Sequence, residues 1–107
     1  MKDFYIYILE CSDSSFYTGV TNNVEKRLNE HQSGIIKGYT SKRLPVKLVF
    51  SERFADVNQA IRFEKQVKGW SRKKKLALIN GDIDLLVYYS NLKKIRVILR
   101  QAQDDNH

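Results

Sequence analysis

The fold is decided by two β-prone runs, Phe4-Tyr5-Ile6-Tyr7-Ile8-Leu9 (residues 4–9) and Phe16-Tyr17-Thr18-Gly19-Val20 (residues 16–20). Aromatic and β-branched residues favour strands, and the polar segment between the two runs suits a tight connection. The pattern predicts two adjacent antiparallel strands, over residues 4–11 and 16–21. Neither face of the first strand is polar, so we expect the sheet to be covered on both sides, or to form a pocket on one.

The tyrosine hydroxyls of these runs are the first candidates for chemistry. Tyr7 and Tyr17 share a face only if the hairpin register allows it, because side chains alternate and a one-residue slip reverses them. We expect the same face. Cross-strand packing explains such tyrosines equally well, but Gly19 lets another group come close to the backbone, which favours a functional hollow.

Length and composition limit the domain organisation and the class of partner. With 107 residues, we predict one domain over residues 1–92 and a partly disordered C-terminal extension over residues 93–107. The hydrophobic content of 42% is that of an ordinary globular chain. The net charge of +7 suggests a polyanionic partner, although charge alone is weak evidence for nucleic acid.

Cysteine usage and the start of the chain bear on the cellular compartment. The single cysteine, Cys11, excludes an intramolecular disulfide and fits a reducing cytoplasm, and we expect a structural thiol there rather than a nucleophile. No apolar run reaches the ~18 residues of a membrane span, and the N-terminus does not resemble a signal peptide. One cysteine and two histidines argue against a zinc site.

The first predicted helix carries two polar residues at the edge of its apolar stripe. The pair Asn22-Asn23 offers an N-cap for this helix, which we place at residues 24–33, and Gly34 can end it. Arg27 and His31 are four residues apart and so share a face of the helix. They can reach over the sheet, or they can form an ordinary solvated flank.

A loop over residues 35–45 interleaves cations with hydroxyls and one aromatic residue. This composition suits contacts to phosphate and sugar. Pro45 closes the loop, and residues 46–54 alternate well enough for a third strand, with Val46, Leu48 and Phe50 on one face.

The second helix, predicted at about residues 57–69 after an Asp56 cap, places Glu64 within its apolar arc. A buried carboxylate costs several kcal/mol unless it is paired or bound to a metal. Both an ion pair, to Arg27 or Lys68, and a metal site therefore remain open.

Two further helical segments complete the chain. Ser71 caps a shorter helix that begins with a basic run and ends at Asn80 and Gly81. The basic run is either a solvated face or a phosphate-binding surface. A last amphipathic segment is predicted at residues 83–92.

These elements together resemble the GIY-YIG nuclease superfamily, most closely its small stand-alone bacterial URI (UPF0213-type) group, over roughly residues 3–90. The likeness is carried by five stretches in order: Tyr5-Ile6-Tyr7 and Tyr17-Thr18-Gly19, Val24 to His31, Tyr39-Thr40-Ser41 with Pro45 to Val49, Glu64 to Ser71, and Asn80. The first tripeptide lacks the glycine of the family name, and the second has Thr where the family has Ile.

The resemblance implies an α+β fold, with a small three-stranded antiparallel sheet flanked by helices, and an Mg²⁺- or Mn²⁺-dependent endonuclease. Glu64 is then the metal ligand, and Arg27 neutralises charge on the phosphate. Tyr7 is the general base, with its pKa lowered by ~2–3 units by Arg27 and a metal-bound water. Tyr17 contacts the phosphate or the water, and His31 positions or shares a proton.

DNA is the expected partner, with repair or recombination as the setting. The predicted nucleic-acid-binding residues are Lys37, Tyr39, Thr40, Ser41, Lys42, Arg43, Lys68, Lys73 and Lys74, and the supporting residues are Gly19 and Asn80. Two alternatives stay open: a non-catalytic nucleic-acid-binding domain on the same fold, and a structural protein in which the tyrosines and Glu64 are only core.

Overall fold

A computed structural model describes residues 3–90, which form two compact units divided after Gly69. The elements follow the order β1 (Phe4–Glu10), β2 (Phe16–Thr21), α1 (Val24–Gln32), β3 (Lys47–Phe54), α2 (Val57–Lys68), α3 (Arg72–Ile79) and α4 (Ile83–Ser90). The predicted α+β class and the three-stranded antiparallel sheet are confirmed. The end of the predicted domain at residue 92 and the extension over residues 93–107 lie outside the described residues. No helix within residues 3–90 is both long and apolar enough to cross a membrane.

The sheet has the strand order β2-β1-β3, so β1 is its centre. In the β1–β2 pair, Tyr7 lies opposite Gly19 and Leu9 lies opposite Tyr17. Tyr7 and Tyr17 are therefore diagonal neighbours on one face, as expected, and their ring centroids are 6.3 Å apart.

Both faces of β1 are buried, which confirms the expectation from its apolar sequence. On the tyrosine face, Leu9 packs in a cluster with Cys11 and the apolar stripe of α1. On the other face, Ile6 and Ile8 have no exposed surface, and the ring of Phe63 in α2 contacts the sheet from that side. Burying each such side chain contributes about 1.5–3 kcal/mol, so the central strand is the main stabilising element of this unit.

A β-bulge interrupts the pairing of β1 with β3. Ile8 lies opposite Phe50, but the next residue, Leu9, lies opposite Leu48, which leaves Val49 as the extra residue of β3. The prediction that Val46, Leu48 and Phe50 share one face is therefore wrong. Simple alternation does not hold across a bulge, and the local sequence carries no strong sign of this one.

The ends of α1 follow the sequence signals closely. The Asn23 side chain accepts a hydrogen bond from the Lys26 N–H at 3.0 Å, and Gly34 adopts a φ of 78° just beyond the helix. The Gln32 amide then fixes the far end of the following loop, because it accepts from the Val46 N–H at 3.2 Å and donates to the Val46 carbonyl.

The second unit contains α3 and α4, joined by a tight turn. The Ser71 hydroxyl accepts from the Lys74 N–H at 3.3 Å at the start of α3, and Gly81 takes a φ of 70° after its end. Ala77 and Leu78 are the buried residues of α3. The predicted helix ends are confirmed here, while residues 91 and 92 lie outside the described part of the chain.

Gly19→Ala is expected to destabilise the protein by about 1–3 kcal/mol, the usual cost of overpacking. A Cβ at this position would lie 2.5 Å from Cζ and 2.8 Å from Cε1 of Tyr7, so the ring must move. Urea unfolding, monitored by circular dichroism, measures the change in the free energy of unfolding. Gly69→Ala is the matched control, because its Cβ meets nothing nearer than 3.6 Å and its φ of −85° suits alanine. Equal stabilities of the two variants would contradict the close approach of Tyr7 to Gly19.

Candidate active site

A buried chain of hydrogen bonds joins the sheet, the first helix and the loop. The Tyr7 hydroxyl lies 2.9 Å from Nε2 of His31, and Nδ1 of His31 lies 2.7 Å from Oγ1 of Thr40. Each of the three residues is 1% exposed. Strand β1 supplies Tyr7 and helix α1 supplies His31, whose position on the helix follows from the packing of the α1 apolar stripe on the sheet.

Two further rings, those of Tyr17 and Tyr39, extend this chain toward the surface. The Tyr17 ring meets His31 edge-on with 5.0 Å between centroids, and it stacks against Tyr39 at 6.3 Å with an interplanar angle of 28°. Tyr39 is 41% exposed, so the stack runs from the interior to solvent. An exposed aromatic ring at the end of such a stack offers a surface on which a nucleobase can stack.

The pKa of Tyr7 is raised to about 12, chiefly by burial and secondly by the neighbouring Tyr17. Arg27 acts in the opposite direction but does not outweigh burial. Arg27 alone therefore does not produce the lowered Tyr7 pKa, which was expected from Arg27 together with a metal-bound water. Forming the free phenolate at pH 7 would cost about 7 kcal/mol, so Tyr7 is a neutral phenol here.

Burial also lowers the pKa of His31, with Arg27 as a second cause, while Glu30 acts weakly in the opposite direction. The imidazole is therefore neutral at pH 7 and presents one donor and one acceptor nitrogen. The Tyr7–His31 pair is a hydrogen bond between two neutral groups.

Arg27 lies at the border of this neutral cluster. Its guanidinium acts electrostatically on Tyr7, and its Nε pairs with the Glu30 carboxylate at 3.1 Å. The Arg27 side chain is 39% exposed, so it remains open to a phosphate. A half-exposed ion pair within one helix turn adds little stability, so a ligand phosphate can replace Glu30 at small cost.

Glu64 is paired with Lys68, one helix turn further along α2, at 2.7 Å. This is one of the two ion pairs that the sequence left open. The Glu64 side chain is 14% exposed, and Lys68 lies close enough to Tyr17 to interact electrostatically with its phenol. Glu64 is thus linked to the tyrosines through Lys68.

The donor set around Glu64 fits a weakly held Mg²⁺ rather than a caged metal. Residues 3–90 contain no group of three or more His, Cys, Asp or Glu side chains that could hold an ion. Mg²⁺ commonly keeps several waters and uses one or two carboxylates together with substrate phosphate. One partly exposed carboxylate meets that requirement once its pairing with Lys68 is exchanged.

The loop residues predicted to bind nucleic acid divide into two groups. Lys37 and Lys42 are exposed, as a phosphate contact requires. Thr40 is buried against His31, so its predicted role as a nucleic-acid ligand is wrong in this structure. Ser41 bonds Gly38 within the loop, with Oγ donating to the Gly38 carbonyl at 3.0 Å and accepting from the Gly38 N–H.

Arg43 anchors the loop to the hairpin. Its Nε donates to Asp13 at 3.0 Å and its Nη1 donates to the Tyr39 carbonyl at 2.9 Å, while the guanidinium carbon lies 3.8 Å from the Tyr39 ring centroid. These contacts hold Tyr39 from two sides. Arg43 would have to give up one of these contacts to bind a nucleic-acid backbone.

The remaining predicted residues lie in the second unit. Lys73 is exposed on α3, and the ammonium of Lys74 sits 4.5 Å from the Trp70 ring centroid. Asn80 caps the end of α3, where its N–H donates to the Leu76 carbonyl at 2.9 Å. Lys73 and Lys74 lie in the first turn of α3, so the start of this helix is basic. Asn80 is the C-cap residue of the same helix.

Sequence reasoning missed two pairings, Tyr7–His31 and His31–Thr40, and named the third, Glu64–Lys68, as one of two possible ion pairs. The contacts Tyr7–His31, His31–Thr40 and Glu64–Lys68 all join residues already singled out, but only the last has a sequence signal, the i,i+4 spacing on a helix. The buried thiol of Cys11 is structural as expected, and burial raises its pKa, which disfavours the reactive thiolate.

The chain belongs to the GIY-YIG family. The model of the GIY-YIG catalytic domain matches residues 3–77, which include the hairpin, α1, the loop and α2. The matched region contains Tyr7, Tyr17, Arg27, His31 and Glu64.

Its relatives include the UPF0213 protein SH2523 of Staphylococcus haemolyticus, which is 44% identical over 79 residues, 74% of this chain and 96% of the relative. A UPF0213 protein of Syntrophus aciditrophicus is 50% identical over 80 residues, 74% of this chain and 92% of the relative. Among solved structures, the protein EF2693 from E. faecalis superposes with a TM-score of 0.54 at 38% identity, over 76% of this chain and 86% of that one. Family membership supports an endonuclease-type function and nucleic-acid binding.

The free energy of unfolding is expected to fall as the pH drops below about 6.5, with His31 contributing a slope of up to ~1.4 kcal/mol per pH unit. The pKa of His31 is lowered in the folded protein, so the unfolded chain binds more protons in this range and acid favours unfolding. Urea unfolding at pH 7.5, 6.5 and 5.5 measures the slope. The slope of the unfolding free energy against pH should be smaller in His31→Gln than in the wild type, whatever the absolute stability of the variant. Equal slopes in the two proteins would show that His31 titrates normally in the fold.

Proposed function

We propose that this protein is a metal-dependent endonuclease that hydrolyses phosphodiester bonds in DNA, with single-stranded or structured DNA as substrate. The observation that carries the proposal is the buried hydrogen bond between Tyr7 and His31 beside the half-exposed guanidinium of Arg27. A proton acceptor and a phosphate-binding cation thus lie next to each other at the border of a dry interior.

The attacking water can lose its proton through Tyr7 to His31. As the water oxygen bonds to phosphorus, its proton passes to the Tyr7 oxygen while the Tyr7 proton moves to Nε2 of His31. The phenol therefore never exists as a free phenolate, and the cost of its raised pKa is avoided. The bond from phosphorus to the 3′ oxygen breaks, the leaving oxygen takes a proton from solvent, and His31 returns its extra proton to solvent afterwards.

Arg27 and Tyr17 would bind the phosphate. The planar guanidinium of Arg27 can donate two parallel hydrogen bonds to the non-bridging oxygens and so stabilise the charge that develops there. Tyr17 lies beside Tyr7 and His31, so its hydroxyl can orient the attacking water or one phosphate oxygen.

Glu64 would hold the metal ion, Mg²⁺ or Mn²⁺, after exchange of its ion pair with Lys68. The ion, when bound, polarises the phosphate and stabilises negative charge on the leaving oxygen. The Lys68 ammonium, 54% exposed, is then free to bind the DNA backbone.

The loop and its aromatic ring would contact the DNA strand. Lys37 and Lys42 provide exposed positive charge, and Tyr39 provides a ring on which an unpaired base can stack. Lys73 and Lys74 of the second unit add to the positive charge of the chain. Such surfaces carry little base-specific information, so selection by strand structure rather than by sequence is expected.

A non-catalytic nucleic-acid-binding domain is the second candidate. The pairing of Glu64 with Lys68 favours it, because an ion pair accounts for a partly buried carboxylate without any metal. Binding and cleavage must therefore be measured on the same samples.

Labelled single-stranded, duplex and branched DNA are incubated with the protein in Mg²⁺ or in EDTA. Cleavage seen with Mg²⁺ is expected to be lost when EDTA removes the metal. Glu64→Gln and Arg27→Ala should each reduce the cleavage rate by about 10²-fold or more, because each removes charge stabilisation that develops at the phosphate. Gel electrophoresis of the products gives the rate, and fluorescence anisotropy gives DNA affinity for the same protein samples.

The matched controls are Glu52→Gln and Arg62→Ala, which change an exposed carboxylate on β3 and an exposed guanidinium on α2. Both should cleave at the wild-type rate. DNA binding with no metal-dependent cleavage of any substrate would support the binding domain instead, and cleavage unaffected by Glu64→Gln would overturn the assigned metal ligand.

The cleavage rate is expected to be flat from pH 7 to 9 and to fall only at pH values below the usual histidine pKa of 6.5. The proton ends on His31, whose pKa is lowered below its usual 6.5, with Arg27 and Glu30 as the charged neighbours of the imidazole. A base that acted as the free Tyr7 phenolate would instead give a rate rising about tenfold per pH unit toward pH 12.

Tyr7→Phe should lower kcat by about 10²-fold or more, since the proton path is then broken. Tyr5→Phe is the control on the same strand, and it should leave both the rate and the pH profile unchanged. A steady rise of the wild-type rate through pH 9 would contradict transfer to His31.

A further inference from the structure

We propose that Thr40 is a positioning residue that holds the His31 imidazole in the tautomer able to accept a hydrogen bond from Tyr7. The inference rests on the proposed function, because it names the residue that prepares the proton acceptor of that reaction. Thr40 does not itself contact substrate in this assignment, since it is 1% exposed.

The geometry ties both nitrogens of His31 to single partners. Oγ1 of Thr40 is 2.7 Å from Nδ1, and the Tyr7 hydroxyl is 2.9 Å from Nε2. All three side chains are buried. A buried donor or acceptor without a partner is strongly disfavoured, so the hydroxyl of Thr40 and the tautomer of His31 determine each other.

Two arrangements satisfy these contacts, and only one supports proton transfer. In the first, Nδ1–H donates to Thr40 and Nε2 accepts from the Tyr7 hydroxyl. In the second, Thr40 donates to Nδ1 and Nε2–H donates to Tyr7, so Nε2 has no free electron pair. When His31 gains a proton, both nitrogens donate, and in the first arrangement the Thr40 oxygen is already an acceptor. That arrangement therefore needs no reorientation during the reaction.

The neighbours of Thr40 fix its hydroxyl relative to the hairpin. Its carbonyl accepts from the Arg43 N–H at 2.9 Å, and the Arg43 carbonyl accepts from the Ser12 N–H at 2.9 Å. On its other side, Tyr39 is held against Tyr17. A hydroxyl that is anchored through both flanking segments can hold an imidazole more rigidly than one on a free loop.

The experiment compares the wild-type protein with Thr40→Val, which removes the hydroxyl at constant shape, and Thr40→Ser, which keeps it. Long-range ¹H–¹⁵N NMR spectra of His31 report which ring nitrogen carries the proton. We expect a protonated Nδ1 and an unprotonated Nε2 in the wild type and in the serine variant, and a shift toward protonated Nε2 in the valine variant.

The kinetic arm separates positioning from general stability. Thr40→Val should lower kcat about 10-fold to 100-fold, the size found when the partner of a metal-ligating histidine is removed, with KM changed less than about twofold. In Thr40→Val, the fall in cleavage rate at acid pH should move to lower pH, because the imidazolium of His31 has lost the hydroxyl that stabilised it. Thr40→Ser should restore the rate and the profile.

Either of two results would overturn the proposal: a wild-type His31 with its proton on Nε2, or a valine variant with unchanged tautomer, kcat and pH profile. The serine variant keeps the test valid if valine unfolds the protein, because a serine variant with the wrong tautomer also contradicts the assignment. Failure of the proposed function is distinguishable, since the NMR result does not depend on cleavage of DNA.

Discussion

The hydrogen bond between Tyr7 and His31 is the contact on which the arrangement of the first unit depends. Tyr7 stands on the central strand directly opposite Gly19, and the missing side chain at Gly19 provides the space for its ring. Helix α1 brings His31 to the same place because its apolar stripe packs on the tyrosine face of the sheet. The loop then closes over the imidazole with Thr40. The strand, the helix and the loop, which are distant in sequence, therefore meet at the buried ring of His31.

Burial divides the site into a neutral interior and a charged border. Low polarity raises the pKa of Tyr7 and lowers that of His31, and both shifts remove charge from the interior. The charged groups Arg27 and Glu64 keep partial exposure and are paired with Glu30 and Lys68. In the proposed reaction, proton transfer and charge stabilisation would therefore belong to different residues. The phenol would transmit a proton, and the imidazole would determine the pH at which it can do so.

The sequence predicted the elements and the helix ends because those depend on local chemistry. Asn23, Asp56 and Ser71 cap helices as their side chains dictate, and the hairpin register places Tyr7 and Tyr17 on one face, as expected. The β-bulge in β3 was missed because it depends on how two distant strands pair.

The electrostatics of the site could not be predicted from the sequence for a related reason. The direction of the Tyr7 shift depends on whether burial or the charge of Arg27 has the larger effect, and burial is a property of the folded chain. The same reason explains why the burial of Thr40 was not predicted. The polar and basic composition of its loop suggested a surface residue, but the Thr40 side chain turns inward and is 1% exposed.

The loop over residues 35–45 therefore belongs to the surface and to the interior at once. Tyr39 is 41% exposed, while the next residue, Thr40, contacts His31. The Tyr39 ring is held between Tyr17 and the guanidinium of Arg43, whereas the Thr40 hydroxyl lies against Nδ1 of His31. Neighbouring residues thus face in opposite directions, and one short loop supplies both an exposed ring and a buried hydroxyl.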